Sequence, residues 1–391
     1  MRFLHTGDWH VGKQLRGRSR IAEQVAVLDE ILDIAVREKV DYVLVAGDVF
    51  DSPTPPADAE HAVLSFFAGL IRHEIGAVVI GGNHDHPRRL SALRQLLDPL
   101  RIFIRPEPCA PDDGALIALE KGKEKAVIAA LPWIPDRLLV DSAKMMLPED
   151  RWYAEYAEVA GGFCSGFASC FEKNSINVLM SHMFIQGAET TASERAIHTS
   201  APFAVSGAYL PASANYVALG HLHRPQLVPA PAPAYFCGST LQLDFGEVEQ
   251  VKRVVLIEAR AGKPSHVESI PLMQGRRLRD VRGTLAELEG RALEFGDDYL
   301  RVTVETERAE AGISTQVREL LPNAIDIRVE ARVVEETGVA EAMEKLASLQ
   351  PADLFAEYYR QSQKSEIPQE LLDLFRKLHG DTRHETRTSG A

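Results

Sequence analysis

The chain is poor in cysteine, in long apolar runs and in positive charge, and each shortage closes off a class of function. Its four cysteines, Cys109, Cys164, Cys170 and Cys237, never approach CxxC spacing. That excludes a disulfide framework and a thiolate zinc site, and leaves reduced, mostly buried thiols. No uninterrupted apolar stretch approaches the ~20 residues of a membrane span. The chain opens on a strand-like segment rather than a basic leader. A cytoplasmic, nucleoid-associated protein with no membrane role is expected. Acidic residues outnumber basic ones, 56 to 43, giving a net charge of −13. A general nucleic-acid binder would usually be basic. A carboxylate site that holds divalent cations carries part of such a charge itself, and its ions reverse the local sign. Local clusters therefore matter more than the total. At 391 residues, 45% of them hydrophobic, the chain has room for two or three domains and a large core.

What is present is a recurrence. The apolar residues Ala77 to Ile80 lead into Gly82-Asn83-His84-Asp85, and Pro87 opens the next amphipathic run. That is a buried strand, a glycine turn and a helix start. Asp8-Trp9-His10 follows Phe3-Leu4, and Gly47-Asp48-Val49-Phe50-Asp51 follows Tyr42 to Ala46. Ser181-His182 follows Ile176 to Met180, and Gly220-His221-Leu222-His223 follows Tyr216 to Leu219. One such turn alone reads as a polar loop. Five strands that each end in metal-ligand residue types do not. Ligands of open α/β layers sit at the carboxyl ends of strands, so the five turns should face one site.

The fold class read from this pattern is α/β. Strand–helix alternation over the first hundred residues means βαβ units and a largely parallel sheet. Two facing mixed β-sheets flanked by helices are expected, with Tyr235–Cys237 and Arg253–Glu258 finishing the second. Residues 136–175 read as one or two helices packed on the core, their aromatic stripe interrupted at Gly161-Gly162. The texture changes near residue 270. The expected limits are 1–267 for the first domain, 268–337 for a small α+β capping domain, 338–380 for C-terminal helices and 381–391 for a disordered tail.

The candidate donors are Asp8, His10, Asp48, Asn83, His182, His221 and His223, with Asp51, His84 and Asp85 beside them. Carboxylate, amide and imidazole donors without thiolate suit Mn, Fe or Zn in a catalytic site. Seven donors exceed what one ion needs. Two ions ~3.5–4 Å apart would use them, and phosphoester hydrolysis is the reaction class that follows. His5, His61, His73, His198 and His266 read as ordinary core or surface histidines. Lys13, Arg16, Arg18 and Arg20 lie in an acid-free stretch that leaves the site directly after the first two donors. A flexible cationic loop there suits a phosphate backbone; the plainer reading is a solvated face.

The motifs DxH, GDxxD, GNHD, a lone His and GHxH stand complete and in order, and over residues 1–260 the chain resembles the calcineurin-like metallophosphoesterases. The resemblance implies that Asp8, His10, Asp48 and His223 hold one metal and that Asp48, Asn83, His182 and His221 hold a second, with Asp48 bridging. It also implies that His84, held by Asp85, is catalytic, and that Asp51 stands behind the ligands. A narrower resemblance is carried by Arg2 to Lys13, Val45 to Asp51, Tyr235 to Ser239 and Phe355 to Tyr359. It points to the SbcD-type nucleases, with Gly7 where Ser is commoner. This implies a manganese-dependent DNA nuclease with two Mn²⁺ per chain, Mg, Fe or Zn being possible. It would act as double-strand exonuclease and single-strand or hairpin endonuclease in DNA end processing, recombination and repair. It would form a homodimer and work with an SbcC-type ATPase. In the C-terminal helices, Leu354, Phe355, Tyr358 and Tyr359, then Leu371, Leu372, Phe375 and Leu378, form apolar stripes for that partner. Rival readings are a phosphoesterase for a phosphoprotein, cyclic nucleotide or small phosphate, and a non-catalytic scaffold. The complete donor set argues against the scaffold.

Overall fold

The computed structural model describes residues 1–135, 149–191, 193–194, 198–199, 203–307, 312–331, 350–363 and 367–388. In chain order the strands and helices are β1 Arg2–Thr6, β2 Gln14–Leu15, β3 Arg18–Ser19, α1 Ile21–Arg37, β4 Tyr42–Val45, α2 Ala57–Arg72, β5 Gly76–Ile80, α3 Pro87–Leu97, β6 Ile102–Arg105, β7 Leu116–Lys121 and β8 Glu124–Leu131. Then come α4 Glu149–Ser169, β9 Ile176–His182, β10 Tyr216–Gly220, β11 Gln226–Val228, β12 Ala234–Phe236, β13 Arg253–Glu258 and β14 His266–Pro271. The remainder is β15 Leu278–Gly283, α5 Leu285–Arg291, β16 Tyr299–Thr306, α6 Ile313–Leu320, β17 Ala324–Ala331, α7 Pro351–Gln363 and α8 Gln369–Thr388.

Two six-stranded sheets form the body, in the orders β14-β13-β1-β4-β5-β6 and β11-β12-β10-β9-β8-β7. The central strands of each run parallel, as expected of buried βαβ units. Side chains alternate across β1. Phe3 joins Leu44, Val78, Val178, Met180 and Tyr216 between the sheets, while Leu4 faces the layer of α1 and α2. The outer face of the second sheet packs against α4 through Tyr156, Ala160, Cys164 and Phe167. The expected two facing sheets with helices outside are therefore present.

Several local expectations change. β13 pairs antiparallel with β1, so residues 253–258 belong to the first sheet and not the second. β14 pairs with β13 and carries that domain past residue 267. Helix α4 runs unbroken through Gly161-Gly162, because packing on the core and not propensity decides there. The part of the 136–175 segment before residue 149, and 338–349 of the expected C-terminal helices, lie outside the described residues. The capping region is a three-stranded sheet, β15-β16-β17, covered by α5 and α6. Helix α8 continues to Thr388 where a disordered tail was expected. Among the described residues, 305–307, 329–331, 350–363 and 367–388 belong to a second compact unit. Within it the rings of Phe355 and Phe375 stack at 4.4 Å, so α7 and α8 form a helical pair. Leu354, Tyr358, Leu374 and Leu378 are exposed on it. Among the described residues no helix is long and apolar enough to cross a membrane.

Candidate metal centre

The turns after β1, β4, β5, β9 and β10 meet at one point. Four of their residues have a left-handed backbone: Asp8 (φ 48°), His10 (φ 46°), Asp48 (φ 47°) and His221 (φ 102°). Such strain costs roughly 1–3 kcal/mol per residue and persists only where the surroundings impose it. Trp9 is one restraint. Its indole is 1% exposed, packs edge-on against Phe66 and donates to Thr6 Oγ1 at 2.9 Å. Burying ~200 Å² of indole contributes on the order of 5 kcal/mol, comparable to the strain it opposes. Gly82 is another. A Cβ there would sit 2.1 Å from Asp48 Oδ1, so only glycine lets the two turns touch.

Asp48 is the meeting point of two donor groups. Its Oδ2 lies 3.5 Å from His10 Nε2 and 3.5 Å from His182 Nε2. On one side, His10 Nε2 faces His223 Nε2 at 3.1 Å, with Asp8 in reach. On the other, Asn83 Oδ1 lies 3.0 Å from His182 Nε2 and 3.1 Å from His221 Nδ1. Asp8 accepts the His221 backbone N–H at 2.9 Å. All seven sequence-predicted donors are brought together.

The electrostatics fit cations. Burial, with the like charge of Asp48, pushes Asp8 up to about 7 against the pull of His182 and His10. Burial opposes ionisation of Asp48 too, but His182 and His84 hold its carboxyl well below the usual range. Burial would lower His182, yet the Asp48 charge and hydrogen bond raise it to about 9. Burial and the His182 charge depress His221. Two buried carboxylates among converging imidazole nitrogens are the donor set that divalent ions require.

The neighbouring candidates behave differently from one another. His84 packs edge-on against His10, and its Nδ1 hydrogen-bonds the Asp51 carbonyl at 2.7 Å. Asp85 does not hold that ring. Its carboxylate accepts the backbone N–H groups of Val49, Phe50 and Gly82, so it ties two turns together, which corrects its expected catalytic part. Asp51 stands behind His10, with Oδ1 3.3 Å from Nδ1, and pairs with Lys13 at 3.0 Å. The basic stretch is not a loose loop. β2 and β3 pair across Arg16-Gly17, both at positive φ as a tight hairpin turn demands. Leu15 anchors the hairpin against Phe245, Leu278 and Tyr299. Arg20 is withdrawn as a phosphate contact: it is 2% exposed and bonds the Gln242 carbonyl and Glu23. Arg16 and Arg18 are exposed, Arg16 between Asp244 and Asp326.

Three further residues stand at the site without a signal in the sequence. His198, read as ordinary, lies beside Trp133, and its Nδ1 is 3.0 Å from Asn83 Nδ2. Its carbonyl lies 3.2 Å from His221 Nε2. Glu247 and Lys252 stand behind His223. None of the three carried a motif. His5 does fit its ordinary reading, buried with Nδ1 3.0 Å from the Tyr216 hydroxyl.

Comparisons with known proteins bear on the family. The calcineurin-like phosphoesterase family model matches residues 1–225. A model described as the type 5 capsule protein repressor C-terminal domain matches 274–363, the capping region and α7. The chain is 31% identical to the SbcD component of nuclease SbcCD from Bacillus subtilis (strain 168) over 393 residues, covering 98% of this chain and 99% of that one. It is 28% identical to the corresponding SbcCD nuclease component from Escherichia coli (strain K12), covering 76% and 74%. For that of Rhodobacter capsulatus the identity is 31%, covering 68% and 69%.

Proposed function

The chain belongs to the calcineurin-like phosphoesterases and, within them, to the SbcD nucleases, and on that premise we propose that it is a manganese-dependent DNA nuclease. The observation that carries the reading is the Asp48 carboxylate, equidistant from two groups of buried donors. Asp8, His10, Asp48 and His223 would hold one ion, and Asp48, Asn83, His182 and His221 the other. Ions bound there would offset the charge of a phosphodiester and make a water more acidic. The chain supplies the rest. His84, whose Nδ1–H donates to the Asp51 carbonyl, would as the imidazolium hold a second proton on Nε2 and deliver it to the leaving oxygen, returning to the neutral ring. Strained turns at Asp8, His10 and Asp48 hold the donors in place before substrate arrives. Lys13, Arg16 and Arg18 take phosphates at the rim. The activities proposed are double-strand exonuclease and single-strand or hairpin endonuclease. The partners proposed are a second copy of the chain and an SbcC-type ATPase, gripped by the apolar faces of α7 and α8.

Digestion of end-labelled blunt and hairpin duplexes by the purified chain, with Mn²⁺ and with Mg²⁺, tests the proposal. Cleavage in Mn²⁺ supports it. Intact DNA beside rapid hydrolysis of a phosphoprotein or small phosphate ester would assign the site to another phosphoester.

A further inference from the structure

His223 is gripped from behind more elaborately than the other histidines of the site. Glu247 Oε1 lies 3.2 Å from His223 Nδ1, and Glu247 is wholly buried. Ser193 Oγ sits 2.6 Å from the same nitrogen and donates to Glu247 Oε1. Because an ionised carboxylate only accepts, the serine hydrogen goes to Glu247, and the serine oxygen accepts from His223. By either route Nδ1 carries the hydrogen. The lone pair is left on Nε2, which faces His10 Nε2 at 3.1 Å. Lys252, 6% exposed, pairs with Glu247 Oε2 at 2.5 Å and donates to the His223 carbonyl at 2.9 Å. The pair thus fixes both ring and backbone of one residue.

A buried ion pair is a poor device for stability. Taking both charges out of water is costly, and well-packed apolar groups of similar size often serve as well or better. The contrast with the other donor group is informative. His182 Nδ1 and His221 Nε2 are oriented by backbone carbonyls, those of Ala46 and His198, at 2.8 and 3.2 Å. His10 and His223 are backed by carboxylates, Asp51 and Glu247. A carboxylate behind an imidazole fixes its tautomer and raises its basicity as a ligand.

We infer that the buried Glu247–Lys252 pair is the positioning device of His223, and that it sets the metal affinity of one of the two sites while leaving the other untouched. The inference rests on the two-metal reading of the centre. Lys252 pairs with Glu247 Oε2, supplies the charge that balances the carboxylate and holds the His223 carbonyl. Glu247 makes no contact with reacting groups and acts through the imidazole.

Calorimetric titration of the full chain with Mn²⁺ tests it, with apo-protein thermal unfolding alongside. The proteins compared are the unaltered chain, Glu247→Gln, and the double variant Glu247→Gln/Lys252→Met, which leaves no unpaired buried charge. The expected result is two sites in the unaltered chain. In both variants one site weakens by about 10–100-fold and the other keeps its affinity. The double variant should unfold near the unaltered temperature. Unchanged affinity at both sites, equal weakening of both, or failure of both variants to fold would overturn the inference, the last by making the pair structural. Absence of two Mn²⁺ sites in the unaltered chain would instead overturn the reading beneath it.

Discussion

His10 and His223, 213 residues apart, present their Nε2 atoms to each other at 3.1 Å with the Asp48 carboxylate beside them. Two facing imidazole nitrogens beside a buried carboxylate are a poor arrangement without a cation and a good one with it. Asp48→Ala should therefore remove more than one ion, because its carboxylate serves both donor groups. Metal analysis after Mn²⁺ loading and desalting is expected to fall from two ions per chain to none tightly held. Retention of two ions would show that Asp48 does not bridge.

The cationic hairpin gives a second prediction. Its ion pairs to the half-buried Asp244 and Asp326 are made by an exposed Arg16 and are worth about 1 kcal/mol or less each, so phosphates can displace them. Changing Lys13, Arg16 and Arg18 together to Ala should reduce the slope of log affinity against log salt for duplex DNA by up to ~0.9 per lost contact. Fluorescence anisotropy at several salt concentrations reads this. Arg20→Ala belongs to a different class and should lower thermal stability, since it strips partners from the Gln242 carbonyl and Glu23.

What the sequence made legible was the local part. Each donor sits at a strand end within a few residues of its motif, so alternation and turn chemistry were enough to find it. What stayed hidden depends on chain segments far apart. β13 joins the first sheet because β1 offers it an open edge, a choice no local pattern encodes. Arg20 reads in the sequence as a phosphate contact, yet the carbonyls of Gln242 and Arg276 take its guanidinium. Asp85 sits in a catalytic-looking tetrapeptide, yet its carboxylate is consumed by backbone amides. His198 and Glu247 reach the site from connections without periodicity.

His5 supplies a pH prediction. Buried between the sheets, it is pushed down to about 3, from an unfolded value near 6.5, by loss of hydration. Between those values the unfolded chain binds a proton that the folded chain refuses, so stability rises with pH. The contribution is complete above pH 6.5 and lost as pH falls toward 3, at up to about 1.4 kcal/mol per pH unit. Urea unfolding at intervals from about pH 7 to about pH 4 should show a flatter dependence for His5→Asn than for the unaltered chain. Identical slopes would mean that His5 is not the group responsible.

The helical pair gives another. Phe355 and Phe375 are spent on each other, while Leu354, Tyr358 and Leu374 are exposed. Changing those three to Glu should spare the α7–α8 stack and remove a partner's apolar contact. Co-purification with an SbcC-type ATPase is expected to be lost, while cleavage of short single-stranded DNA by the chain alone is retained. Undiminished co-purification would place the partner surface elsewhere.

The most direct test of the two-metal mechanism is Mn²⁺-dependent cleavage of an end-labelled hairpin by the unaltered chain and by His84→Ala, with metal content measured on the same samples. Two ions are expected in both proteins, and a cleavage rate lower by about 10²–10⁴-fold in the variant, the usual worth of a positioned proton donor. Loss of metal from His84→Ala would make His84 a ligand, and an unchanged rate with two ions bound would contradict its role in the reaction.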